Sequence, residues 1–177
     1  MKSQSGLMRV MVLAALGASV ALAVSALTGC SSMKPAPLFT TQSVVADEGL
    51  PAVAREDLLN ELSMYQGVPY AQGGDSFDGI DCSGLVSAVF EPLGVKVPRT
   101  AVDQFDAGVP VSRDAVRTGD LVFFGSTRLP DHVGIAVSNE EMVHASTSRG
   151  VILEKIETFS RAENFRGARR IVTLKSY

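Results

Sequence analysis

Residues 78–94, DGIDCSGLVSAVFEPLG, place a lone thiol at the start of an apolar segment with helical period, and most of the later chain can be read as built around it. Leu85, Val86, Val89, Phe90 and Leu93 recur at steps of three and four, with Gly94 where a C-terminal cap belongs. The spacing predicts a buried helix with Cys82 in its first turn. Unpaired backbone N–H groups and the positive end of the helix dipole favour an anion there, so the thiol is expected to titrate below the ordinary cysteine value. Asp81 is the expected N-cap, and Gly79 and Gly84 leave room for a substrate backbone. A free cysteine is also an ordinary small core residue. Against that reading stand the two histidines of the chain, His132 and His144, both on apolar runs downstream. An imidazole beside a thiol can take its proton, and a second polar group can hold that imidazole in the right tautomer.

The front of the chain is of a different kind. Residues 1–9 carry Lys2 and Arg9 with no acid, residues 10–27 are an unbroken apolar and small-residue run, and LTGC follows at 27–30. Such a run reads as a secretory signal. Its length also suits a transmembrane anchor, but LTGC resembles the bacterial lipobox, whose cysteine is diacylated before the signal is cut ahead of it. The expected organisation is a lipoprotein signal peptide at 1–29, a lipidated Cys30 with a flexible tether at 30–50, and one globular domain at 51–177. At roughly 0.8 kcal/mol per buried CH₂, two or three acyl chains, palmitate among them, hold a protein on a bilayer essentially permanently. Ser31 and Ser32 follow Cys30 without the Asp that resembles an inner-membrane retention signal, so a periplasmic position on the outer membrane is expected. The tether, with Pro35 and Pro37 and no periodicity, has an r.m.s. span of about 25 Å.

Cysteine use sharpens the reading of the thiol. The chain has two cysteines, and in an exported protein two would suggest a disulfide; a Cys30 acylated on sulfur cannot pair. Cys82 is then a free thiol in an oxidising compartment, a chemical liability that argues for use. Without residues 1–29 the chain has 14 basic residues against 19 acidic ones, scattered and without a basic patch, so no nucleic-acid partner is expected.

Within the domain, Leu58, Leu59, Leu62 and Tyr65 predict a helix near 54–66, ended by Gly67 and Pro69. A glycine- and acid-rich loop containing Tyr70 leads to the cysteine helix. A short helical pattern runs through Ala101, Val102 and Phe105. Residues 118–124, TGDLVFF, read as a turn feeding a buried strand, followed by strands at 132–138, 142–146, 151–156 and 169–174. Helices first and strands after suggest α+β, with an antiparallel sheet packed on the cysteine helix.

The motifs PYAQGG, DCSGLV, VPRTAVDQF, GDLVFF, DHVGIAV and MVHAS, in that order, resemble the NlpC-type cell-wall peptidases, papain-like enzymes that cut peptidoglycan peptides. The likeness covers nearly all of residues 52–175. It implies a papain-like fold, Cys82 as nucleophile, His132 as base, His144 as the group orienting His132, and Tyr70 near the oxyanion. It also implies substrate contacts from Asp81, Ser83, Arg99 and Gln104, each of which has an ordinary reading as a cap, turn or surface residue. The implied activity is hydrolysis of stem-peptide or cross-link bonds next to diaminopimelate by a monomer, with no metal or cofactor, its partners being peptidoglycan peptides and, through Cys30, the lipid bilayer. Nothing before residue 52 is left over for a further module, so the groove is expected to be open at both ends and to accept peptide still attached to glycan. Three other readings stand beside this one: a zinc hydrolase on the Cys/His set, an acyl- or amide-transfer enzyme on the same scaffold, and a non-enzymatic wall-associated lipoprotein that would keep the fold without needing that set.

Overall fold

The computed structural model describes residues 49–162 and 164–175. The expected signal peptide, Cys30 and the tether up to residue 48 lie outside the described residues. In chain order the elements are β1 (Ala52–Ala54), α1 (Arg55–Met64), β2 (Asp75–Ser76), β3 (Gly79–Ile80), α2 (Cys82–Phe90), α3 (Ala101–Asp106), β4 (Val109–Val111), a 3₁₀ turn (Arg113–Ala115), β5 (Leu121–Phe124), β6 (His132–Ala136), β7 (Glu141–Ser146), β8 (Gly150–Lys155), α4 (Ile156–Ala162), β9 (Phe165–Arg170) and β10 (Thr173–Lys175). Six strands form one antiparallel sheet in the order β4-β9-β5-β6-β7-β8. β2 and β3 make a small hairpin, and β1 pairs in parallel with β10. The architecture is the α+β one expected.

The apolar spacing of α2 explains its position. Leu85, Val86, Val89 and Phe90 have no exposed surface, and burying each contributes roughly 1.5–3 kcal/mol before entropy is counted. Together with Leu58 and Leu62 of α1 they pack against Leu121, Phe123, Val133, Ile135 and Val143 on one face of the sheet. The other face carries Val122, Phe124, Ala136 and Met142, covered by Ile156 and Phe159 of α4. Because both faces are covered, LVFF is apolar at every position instead of alternating. α2 ends at Phe90, short of Gly94, whose φ of 75° closes the turn that follows.

Two expectations about elements are corrected. The strand expected to run through Ile156 stops at Lys155, and Ile156 opens α4. The single strand expected at 169–174 is two, because Ile171 and Val172 leave the sheet and turn into the core, both buried. Before that break, Arg170 meets the buried carboxylate of Asp120 with two bonds of 2.8 Å, which locks the turn ahead of β5 to β9.

Candidate active site

Cys82 is the first residue of α2, almost completely buried, and a free thiol. Asp81 ahead of it is extended, and its Oδ1 caps the helix by accepting from the Gly84 N–H at 2.6 Å. The same carboxylate accepts from the Gly73 N–H at 2.9 Å and from both ends of the Arg99 guanidinium at 2.9 Å. Arg99 also donates to Ser83 Oγ and to the Gly74 carbonyl. Burial works against the Asp81 charge, yet the bonds from Arg99 and Gly84 hold its carboxyl below the ordinary value. α2 can approach this loop because residue 84 has no side chain, since a Cβ there would run into the Gly74 carbonyl oxygen.

The histidines come from neighbouring strands. His132 opens β6 and His144 lies within β7, and sheet alternation puts both on the face that α4 covers. His132 Nε2 lies 2.9 Å from His144 Nδ1, and His144 Nε2 lies 3.0 Å from Glu154 Oε2. Phe159 packs on both imidazoles, with centroid distances of 5.0 Å to His132 and 4.8 Å to His144. Burial, and then the neighbouring His144, push His132 down to about 3. Burial also lowers His144, although Glu154 pulls the other way. Both rings are therefore neutral at neutral pH.

The thiol meets this pair where α2 packs against β6. Its Sγ lies 4.0 Å from the carbonyl oxygen of Asp131, the residue before His132. A depression of about 400 Å³ is shared by Cys82, Tyr70, His132, His144 and Phe159. A second, of about 680 Å³, runs from Cys82 and Tyr70 past Asp81, Ser83 and Arg99. The thiol thus sits between two hollows. Burial first, then the negative charge that Cys82 takes on when it ionises and that of Asp81, push the Tyr70 phenol up, so its hydroxyl keeps its proton and can donate. The lowered thiol expected from the helix start is not found. Burial pushes Cys82 up and the Asp81 charge adds to it, outweighing the backbone N–H groups of Val133, Ser83 and Cys82 that favour the thiolate.

Asp81, Ser83 and Arg99 therefore lie where a ligand can reach them, but Gln104 does not. Its side chain is fully buried in α3 and donates to the Ser83 and Pro98 carbonyls at 2.9 and 2.7 Å. A group with no exposed surface cannot contact substrate, so the expected contact is replaced by a brace beneath α2.

A model of the NlpC/P60 family matches residues 67–170, more than half of the chain. The chain belongs to the NlpC/P60 family. It is similar to murein DD-endopeptidase MepS/murein LD-carboxypeptidase of Escherichia coli K12, with 39% identity over 117 residues, 66% of this chain and 62% of that one. It is also similar to the probable endopeptidase NlpC of the same strain, with 35% identity over 148 residues, 82% of this chain and 92% of that one. The crystal structure of an NlpC/P60 family protein from Bacillus cereus matches with a TM-score of 0.64 and 31% identity, over 71% of this chain and 42% of that one. The chain thus spans under two thirds of the MepS relative and under half of the B. cereus protein.

In this NlpC/P60 chain, Glu154, Arg149 and Phe159 also belong to the site, although no motif in the sequence marks them. The alternation of β8 was the available signal. Met142 pairs with Glu154 and His144 with Ile152, so Glu154 lies diagonally across the hairpin from His144 on the same face. Among the described residues no group of three His, Cys, Asp or Glu side chains is placed to hold a metal ion. The two imidazoles direct facing nitrogens at each other, which a zinc site would need to turn toward the metal.

Proposed function

We propose that this chain is a cysteine-type peptidoglycan endopeptidase, acting as a monomer on stem-peptide or cross-link bonds next to diaminopimelate. The observation that carries the reading is the convergence, in an NlpC/P60 domain, of a helix-start thiol with a neutral imidazole whose far nitrogen is already engaged by a second imidazole. The names of the similar proteins, murein endopeptidases among them, support the substrate class.

In the proposed reaction His132 takes the Cys82 proton as Sγ attacks the peptide carbonyl. The backbone N–H of Cys82 and the Tyr70 hydroxyl hold the oxyanion, and such a donor is worth about 3 to 4 kcal/mol. The C–N bond then breaks, and protonated His132 gives its proton to the departing amine. Water, deprotonated by His132, attacks the thioester, and Cys82 leaves with the proton restored. Asp81, Ser83 and Arg99 contact the peptide in the larger hollow.

Hollows on both sides of the thiol suit a peptide that continues past the cut bond. Purified sacculi, cross-linked muropeptide dimers and free tripeptide, offered in parallel, test this preference. Release from sacculi and dimers is expected, and cleavage of the free tripeptide alone would contradict it.

Residues 1–29 are proposed as a lipoprotein signal peptide, Cys30 as the acylated anchor on the periplasmic side of the outer membrane, and the following residues as its tether, on the strength of LTGC after the apolar run. Cys30→Ala should then abolish incorporation of labelled palmitate. Undiminished labelling would remove the anchor from the account.

A further inference from the structure

A neutral imidazole has two tautomers, and only one makes His132 a base toward Cys82. His132 Nε2 and His144 Nδ1, 2.9 Å apart, share one proton between them. Were it on His144 Nδ1, neutral His132 would hold its own proton on Nδ1, and its Nε2 lone pair would be used up on His144. No nitrogen would then be free to accept from the thiol. With the shared proton on His132 Nε2, the Nδ1 of His132 is bare.

The choice is made on the far side of His144. Its Nε2 lies 3.0 Å from Glu154 Oε2, and the His144 side chain has no exposed surface through which bulk water could compete. A carboxylate only accepts. Neutral His144 therefore keeps its single proton on Nε2, which leaves its Nδ1 as the acceptor for His132 Nε2–H. The same Oε2 accepts from Arg149 Nη2 at 2.8 Å, so the carboxylate is held in place from outside. Glu154 is itself mostly buried, with 16% of its side chain exposed, and β8 fixes it diagonally across from His144.

We propose that Glu154 is a positioning residue that sets the tautomers of both His144 and His132, leaving His132 Nδ1 bare toward Cys82, with Arg149 holding the Glu154 carboxylate in register. The chain from solvent inward then runs Arg149, Glu154, His144, His132 and Cys82, each member donating or accepting in one fixed sense. The proposal rests on the reading of Cys82 and His132 as nucleophile and base.

Two histidines in the whole chain make the test simple. The full-length protein labelled with ¹⁵N-histidine reports the tautomer of each ring directly, with His144→Gln assigning the signals. The wild type should show Nε2–H on both rings. A proton on Nδ1 of either ring would overturn the proposal whatever any variant does. Glu154→Gln keeps an acceptor oxygen, which the Arg149 donor holds toward His144, so it should preserve both tautomers and stay within about threefold of wild-type kcat on cross-linked dimers. Glu154→Leu removes the acceptor and should mix the tautomers, lowering kcat about 10- to 100-fold with KM unchanged. Wild-type tautomers and kcat in Glu154→Leu, or a folded Glu154→Gln as impaired as Glu154→Leu, would overturn it. A wild type inactive on every muropeptide would instead overturn the peptidase reading, and the tautomer signals would still decide this proposal.

Discussion

At Cys82 two fields oppose each other. The first-turn amides and the helix dipole favour a thiolate, while removal from water and the nearby Asp81 charge favour the thiol. Burial outweighs the amides, so Cys82 is pushed up from the ordinary thiol value while His132 is pushed down to about 3. The resting groups are a neutral thiol and a neutral imidazole, so in the proposed reaction the nucleophile is made during attack instead of being stored as an ion pair. The sign of the pH dependence follows. His132 is unprotonated, and so able to accept a proton, at pH values above about 3, and that capacity is lost as pH falls through that value. Alkylation of Cys82 by iodoacetamide should accordingly be slow at pH 6 and rise by about tenfold per pH unit through pH 8, following the small thiolate fraction. Fast labelling at pH 6 that is independent of pH would reveal a preformed thiolate and contradict this balance.

The elements that carry the proposed nucleophile are legible because local and tertiary demands agree in them. The α2 stripe faces one core and nothing else, Asp81 is a cap by residue type and by geometry, and the β5 to β8 strands follow their apolar pattern. What was not legible depends on partners far away in the chain. β10 exists because Thr173 pairs with Ala52, and nothing near Thr173 announces that register. β4 contains Pro110, which reads as a strand breaker and is tolerated only at the sheet edge where β4 lies. α4 takes over from an apolar run that looks like strand, and its role in covering the second face is a tertiary fact. The same division holds within the site. Cys82, His132 and His144 stand out by residue type, whereas Glu154 is one more acid on a strand until the β7–β8 hairpin brings it to His144. Gln104 erred the other way, since a polar side chain in a short helix looks available to a ligand until both Nε2 protons are found on buried carbonyls.

At the scale of the whole molecule, a sheet covered on both faces brings the thiol and the imidazoles together at one end, where the start of α2 meets Asp131, the residue ahead of β6. In the proposed mechanism helix and sheet each contribute one half of the chemistry, and the packing between them holds the two halves together. The two hollows that share Cys82 would give a long polymer a path across the thiol, and the proposed anchor at Cys30 would keep that path within reach of the wall. In the proposed mechanism the thiol acts as nucleophile toward wall peptides, and one measurement reaches that step without intermediaries. Purified sacculi are incubated with wild-type protein and with Cys82→Ala, and the released muropeptides are identified by mass. The wild type is expected to release peptides cut next to diaminopimelate, and Cys82→Ala, folded as shown by an unchanged circular dichroism spectrum, should fall by about a thousandfold or more. Release by Cys82→Ala at the wild-type rate would contradict the account at its centre.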